Sequence, residues 1–206
     1  MLDNLARRDD SVTVGEALTR HYAMHGLPQD GGEGAAWFRI QLGPLRIPLP
    51  NPPARRRAVF WHDVNHVLTG YNTTFSDGEM TIAGFEVGAG CGRSGIAWFI
   101  NLVMMAYGLL VRPRAVYRAF VRGRRSASIY RCTATRATLR EMTVREVRNL
   151  VAIAEPDVHP APGDQVSFTF WCLVAWLVTL AMFAVGIGAV WIGLMGLMSL
   201  ADRVSG

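Results

Sequence analysis

The sequence predicts an all-α chain: a helical domain followed by a C-terminal hydrophobic transmembrane helix or short helical hairpin. Three observations lead there. Apolar residues recur at helical spacing over residues 60–71. Start and stop signals bracket the candidate helices. From Phe168 to Leu200 there is no charged residue at all.

Thr13 to Glu16 has capping-box spacing and Gly26 a stop, so a short helix is expected between them. Its His21 and His25 lie one turn apart with no acidic residue between them, and read as ordinary helix surface. Residues 37–49 alternate apolar and polar around Gly43-Pro44. That pattern suits a small hairpin or an extended arm, and the prolines argue against a true sheet. The next helix starts at Asn51-Pro52, an N-cap followed by a first-turn proline, and stops at Gly70. Phe60, Val64, Val67, Leu68 and Tyr71 form its core-facing stripe. The run Gly88-Ala89-Gly90-Cys91-Gly92 carries no phosphate-loop pattern and reads as a flexible connector.

Residues 96–111 are apolar almost all round, broken only by Asn101. They fall short of the ~20 residues that span a bilayer. A buried core helix is expected, with the wall of a lipid groove as the alternative. The chain then divides into a domain at 1–154, a Pro-rich linker at 155–166 and a membrane anchor at 167–200. As one helix the uncharged stretch would be about 50 Å long, against a hydrocarbon core of about 30 Å. It must tilt, protrude, or fold back near Gly186-Ile187-Gly188. Gly186, Ala189, Gly193 and Gly196 share one face, which would admit another helix closely.

The 206 residues suffice for one domain with a sizeable core. The net charge is +5, and all 21 basic residues are arginine, which points to a GC-rich genome. Eleven of them fall between Arg112 and Arg148. Beside a membrane segment, such a basic face meets anionic lipid headgroups rather than nucleic acid. Its place before the anchor favours a bacterial cytoplasmic (inner) membrane with the domain on the cytoplasmic side. Cys91, Cys132 and Cys172 form neither a disulfide framework nor a metal-ligand pair. Residues 1–8 lack the apolar run of a cleaved secretory signal. A homo-oligomer is compatible with all of this.

Chemistry concentrates at residues 62–66, His-Asp-Val-Asn-His, followed by Gly78-Glu79. His62, Asp63 and His66 project from one face of their helix. Two imidazoles and a carboxylate at rigid spacing are what a divalent metal requires: neutral nitrogen donors and an anionic oxygen. Glu79 would complete the set, and Glu86, seven residues on, is its rival. Ser76 to Glu79 also has capping-box spacing, a purely structural use for that carboxylate. Such a site suits zinc first, with manganese or iron as alternatives. The metal could polarise a phenolic or carboxylate oxygen, or acidify a bound water. No flavin or nicotinamide fingerprint accompanies it.

The run His62-Asp63-Val64-Asn65-His66-Val67-Leu68-Thr69-Gly70-Tyr71, then Gly78-Glu79, resembles the signature of the coenzyme Q (ubiquinone) biosynthesis protein 4 family. The apolar helix that follows and Thr143-Val144-Arg145-Glu146-Val147-Arg148-Asn149-Leu150 agree with it, so the likeness covers roughly residues 50 to 152. Twelve residues, Val67 to Gly78, separate His66 from Glu79, one more than the family's spacing; a loop could absorb the surplus. The resemblance implies that His62, Asp63, His66 and Glu79 bind the metal and serve catalysis. It implies a polyprenylated aromatic quinone precursor as substrate, with the carboxyl group on the ring lost and replaced by hydroxyl. It makes other quinone-biosynthesis proteins candidate partners.

Three functions are therefore compatible with the sequence. One is a metal-dependent decarboxylase (a lyase) acting on a polyprenyl-benzoate head group. Another is a non-catalytic scaffold that binds polyprenyl lipid and gathers quinone-biosynthesis enzymes. The third is an HD-type phosphohydrolase built on His62-Asp63, for which His21 or His25 and Asp157 are poor completing ligands.

Overall fold

The computed structural model describes residues 9–42 and 45–205. The expectations for residues 1–8 and for the Gly43-Pro44 turn lie outside the described residues. Helix α1 (Val14–Met24) begins with the expected capping box: Glu16 N–H donates to Thr13 Oγ1, and Thr13 N–H donates to Glu16 Oε2. The alternating segment is a true antiparallel hairpin, β1 (Trp37–Leu42) and β2 (Leu45–Pro50), with Trp37 opposite Pro50 and Leu42 opposite Leu45. Its prolines are tolerated because a two-stranded pair leaves outer edges that need no N–H donor.

Helix α2 (Pro53–Thr69) starts one residue later than the sequence suggests, with Pro52 at the N-cap. Asn51 is diverted. Its amide donates to the carbonyls of Gly32 and Ala35 at 3.0 and 2.8 Å, holding the preceding loop. Gly70 closes α2 as expected, at φ 74°, with its N–H on the carbonyl of His66. The end of α2 is further gripped from across the fold. Buried Arg122 donates to the carbonyls of Thr69 and Ala154, and Arg148 donates to that of Leu68. Cations at a helix C-terminus also meet the negative end of its dipole.

After a π-helical turn (Phe75–Glu79) come α3 (Met80–Ala89), α4 (Gly95–Val111) and α5 (Pro113–Arg124). Helices α3 and α5 cross at backbone contact. A Cβ on Gly88 would lie 2.2 Å from the Phe120 carbonyl oxygen, and one on Gly123 2.1 Å from that of Phe85. The glycine-rich run is therefore a packed junction rather than a flexible connector. Helix α4 buries Ala97, Asn101, Leu102, Met105 and Ala106 and exposes Phe99, Leu110 and Val111.

Helices α6 (Arg136–Glu141) and α7 (Val144–Leu150) close the domain. Thr143 and Glu146 form a second capping box, and Val144 N–H reaches back to the carbonyl of Val12 before α1. Leu18, Tyr22, Phe60, Val64, Leu68, Phe85, Leu139 and Val147 meet in the main core.

Helix α8 runs unbroken from Pro162 to Ser205. No hairpin forms at Gly186-Ile187-Gly188, and the linker is shorter than expected. Residues 162–166 already belong to the helix, because Asp164 is buried between Arg124 and Arg125 at 2.8 and 2.6 Å. The first turns then pack on α4 and α5: Trp171 stacks on Trp98 at 4.8 Å, Phe168 meets Tyr117 and Phe120, and Ala175 is fully buried. Between Leu180 and Met195 most large apolar side chains stand exposed, among them Phe183, Ile187, Val190, Trp191 and Ile192. By length and composition, Pro162–Met195 is able to cross a membrane. Open space surrounds Gly186 and Gly193, so no described part of the chain uses their small-residue face.

Candidate metal centre

The one-turn spacing of His62 and His66 brings their rings to 4.7 Å between centroids and their Nε2 atoms to 3.1 Å. Each ring is fixed from behind. Nδ1 of His66 lies 2.9 Å from the carbonyl oxygen of Tyr71, which can only accept, so this nitrogen carries the proton and Nε2 presents its lone pair in the neutral ring. Nδ1 of His62 lies 3.1 Å from Oε1 of Glu86. Such partners behind metal-binding imidazoles set tautomer and orientation.

Glu79 supplies the oxygen. Oε2 stands 3.2 Å from Nε2 of His62, and Oε1 stands 3.4 Å from Nε2 of His66. The ligand atoms of His62, His66 and Glu79 all lie within 4.8 Å of one another, and the three could hold a metal ion. The donor set is compatible with zinc, manganese or iron. The π turn explains how Glu79 arrives. Amides of Asp77, Gly78 and Glu79 all donate to the carbonyl of Thr74, and a π turn holds one residue more than an α turn. The segment leading to Glu79 is thus a helical turn rather than an open loop. Gly78 is required there: a Cβ would lie 1.6 Å from the carbonyl oxygen of Asn72. The carboxylate of Glu79 faces the histidines, and makes no cap for α3.

Glu86, the rival, stands behind the site with a side chain sealed from solvent. Oε1 accepts from Asn65 at 2.7 Å as well as from His62, and Oε2 accepts from Asn101 and from the hydroxyl of Tyr130 at 3.0 Å. Burial alone would raise its pKa, but the charge of His62 and these hydrogen bonds hold it below the usual value. Burial likewise works against a charged His62, and the carboxylates of Glu86 and Glu79 outweigh it, lifting His62 well above the ordinary imidazole value. Glu79 is held well below the carboxylate range, against the effect of burial, by His66 and His62.

Asp63 is not brought into the converging set. It is buried, accepts the hydroxyl of Tyr22 at 2.9 Å, and so clamps α1 onto α2. Burial pushes its pKa up to about 6, with His62 and Tyr22 opposing. His21 overturns its reading as helix surface. The clamp at Tyr22 draws the ring inward until it is 7 % exposed and 5.6 Å from the ring of His66. Burial, with His66 and His25 nearby, pushes its pKa down to about 4. His25 matches the expected surface position.

Sequence reasoning passed over Tyr22, Asn65 and Tyr130. Asn65 and Asn101 carried a signal, as amides placed between the two histidines and alone in an apolar helix. The site is open on one side: His62 and Glu79 keep 25 % and 28 % of their side-chain surface, His66 only 1 %. A small molecule can therefore approach across His62 and Glu79. No family model, curated protein or solved structure matches this chain.

Proposed function

We propose that the chain carries out a metal-dependent modification of a polyprenylated aromatic quinone precursor at the membrane, as its resemblance to the coenzyme Q biosynthesis protein 4 family implies. The ring would lose its carboxyl group as carbon dioxide and gain a hydroxyl, a net oxidation that needs an external oxidant of the dioxygen class. The observation that carries this reading is the convergence of His62 Nε2, His66 Nε2 and a Glu79 oxygen, with both imidazoles fixed from behind and one side open.

A bound divalent ion, zinc first and manganese or iron as alternatives, would polarise a phenolic or carboxylate oxygen or acidify a water. The residues do the rest. Glu86 holds His62 in the ligating orientation, Tyr71 does so for His66, and Asp63 keeps α1 in place. In this reading α8 spans a bacterial cytoplasmic membrane, and the exposed arginines of residues 112–148, such as Arg114, Arg118 and Arg131, meet its anionic headgroups on the cytoplasmic side. An HD-type phosphohydrolase gains no support, since Asp157 is exposed before α8 and stands outside the cluster.

The test replaces the chain in its cells by His62→Ala or Glu79→Gln. Membrane-bound, folded variants that accumulate a carboxylated, prenylated precursor support the enzyme. Normal quinone levels with either variant would leave the lipid-binding scaffold as the better reading.

A further inference from the structure

We propose that Arg55 recognises the anionic end of the substrate, pairing with the carboxylate of the aromatic head group while the far side of the ring faces His62, His66 and Glu79. The substrate class rests on the function proposed above. The location rests on α2. Arg55 precedes His62 by seven residues, two helical turns, and therefore lies on the same face about 10.5 Å along the axis. That distance is a rise between backbone positions, and a ring laid along this face between the two residues could meet a polar contact at each end.

The guanidinium is held ready. It sits 3.7 Å over the ring of Phe38 in β1, which fixes its plane, and Nη1 donates to Oδ1 of Asn51 at 3.1 Å. Asn51 is itself anchored through the carbonyls of Gly32 and Ala35. Yet among the described residues no carboxylate forms an ion pair with Arg55, whereas Arg112, Arg124, Arg125, Arg136 and Arg148 each have one. The side chain is half-buried, so this charge is neither fully solvated nor neutralised. Burial lowers its pKa, and the acids acting on it in the opposite sense are Glu79, of the metal centre, and Asp63, the residue after His62. A planar, partly desolvated guanidinium with free N–H groups is suited to two parallel hydrogen bonds from a carboxylate.

Calorimetric titration of the full-length protein in detergent tests this, with 4-hydroxybenzoate, phenol and inorganic phosphate as probes. Wild type is expected to bind 4-hydroxybenzoate more tightly than phenol. Arg55→Gln should weaken 4-hydroxybenzoate at least tenfold, as loss of a charge-assisted contact does, and leave phenol and metal content unchanged. Arg55→Lys should recover part of the loss. Arg55→Met, which keeps an apolar stem over Phe38, should match Arg55→Gln if charge rather than packing matters. Unchanged 4-hydroxybenzoate binding by Arg55→Gln, or no carboxylate preference in wild type, overturns the assignment. Phosphate binding more tightly than 4-hydroxybenzoate overturns the carboxylate class. A carboxylate preference that depends on Arg55 in a wild type devoid of metal supports Arg55 while removing the metal-dependent function.

Discussion

Oε1 of Glu86 lies 3.1 Å from Nδ1 of His62, on the side of the ring away from Glu79, and so turns Nε2 of His62 toward the other two ligands. One carboxylate thus binds the ring's back while another meets its front. Glu86→Gln preserves the shape and removes the charge. Metal affinity should fall by about ten- to a hundredfold, the usual effect of losing a partner behind a ligand. Competition against a chromophoric chelator reads this directly. Glu86→Ala should instead cost about 3 kcal/mol or more of stability, because Asn65, Asn101 and Tyr130 lose a buried, charged acceptor.

Asp63 and Tyr22 give a second prediction. If the carboxylate clamps α1 rather than binding metal, Asp63→Asn should keep metal stoichiometry and lose about 1–2 kcal/mol of stability, measured by thermal unfolding in detergent. Loss of metal from a folded Asp63→Asn would make Asp63 a ligand after all.

Dependence on pH follows from His62 and Glu79. Glu79 has its folded pKa lowered, so its contribution is present above its ordinary value of 4.5 and fades as pH falls below it. His62 has its folded pKa raised, so its contribution is full below 6.5 and is lost as pH rises through the higher folded value. The pair therefore supports the metal-free fold most between 4.5 and 6.5. Asp63, pushed up to about 6, and His21, pushed down to about 4, act in the opposite direction, so wild type must be compared with His62→Gln. Metal must displace the proton of His62. Affinity should rise with pH above neutrality, and calorimetry in buffers of different ionisation enthalpy should record proton release at pH 7.

The division of α8 predicts two different truncations. A chain ending after Ala181 keeps Phe168, Trp171, Ala175 and Thr179 on α4 and α5 and loses the exposed apolar half. It should leave the membrane fraction in alkaline carbonate while retaining its helical circular dichroism. A chain ending after Ala161 uncovers the α4 surface and should aggregate.

Much of this was legible in the sequence for physical reasons. The capping box at Thr13 and the helix stop at Gly70 are local chemistry, satisfied within a few residues. The pairing of His62 with His66 follows from helical spacing alone, and Glu79 from a motif. Tertiary contacts were not legible. Burial of His21 depends on Tyr22 reaching Asp63 across 41 residues, and early entry into α8 depends on arginines 39 and 40 residues away. The π turn at Glu79 and the diversion of Asn51 likewise reflect partners that periodicity does not reveal.

The most direct measurement is metal content, by elemental analysis of detergent-purified wild type, His66→Ala and Glu79→Gln, with folding checked by circular dichroism. About one equivalent in wild type, lost from both folded variants, is the expected result for a metal centre of His62, His66 and Glu79. A well-folded wild type with no metal, or a folded Glu79→Gln that keeps a full equivalent, would contradict that centre.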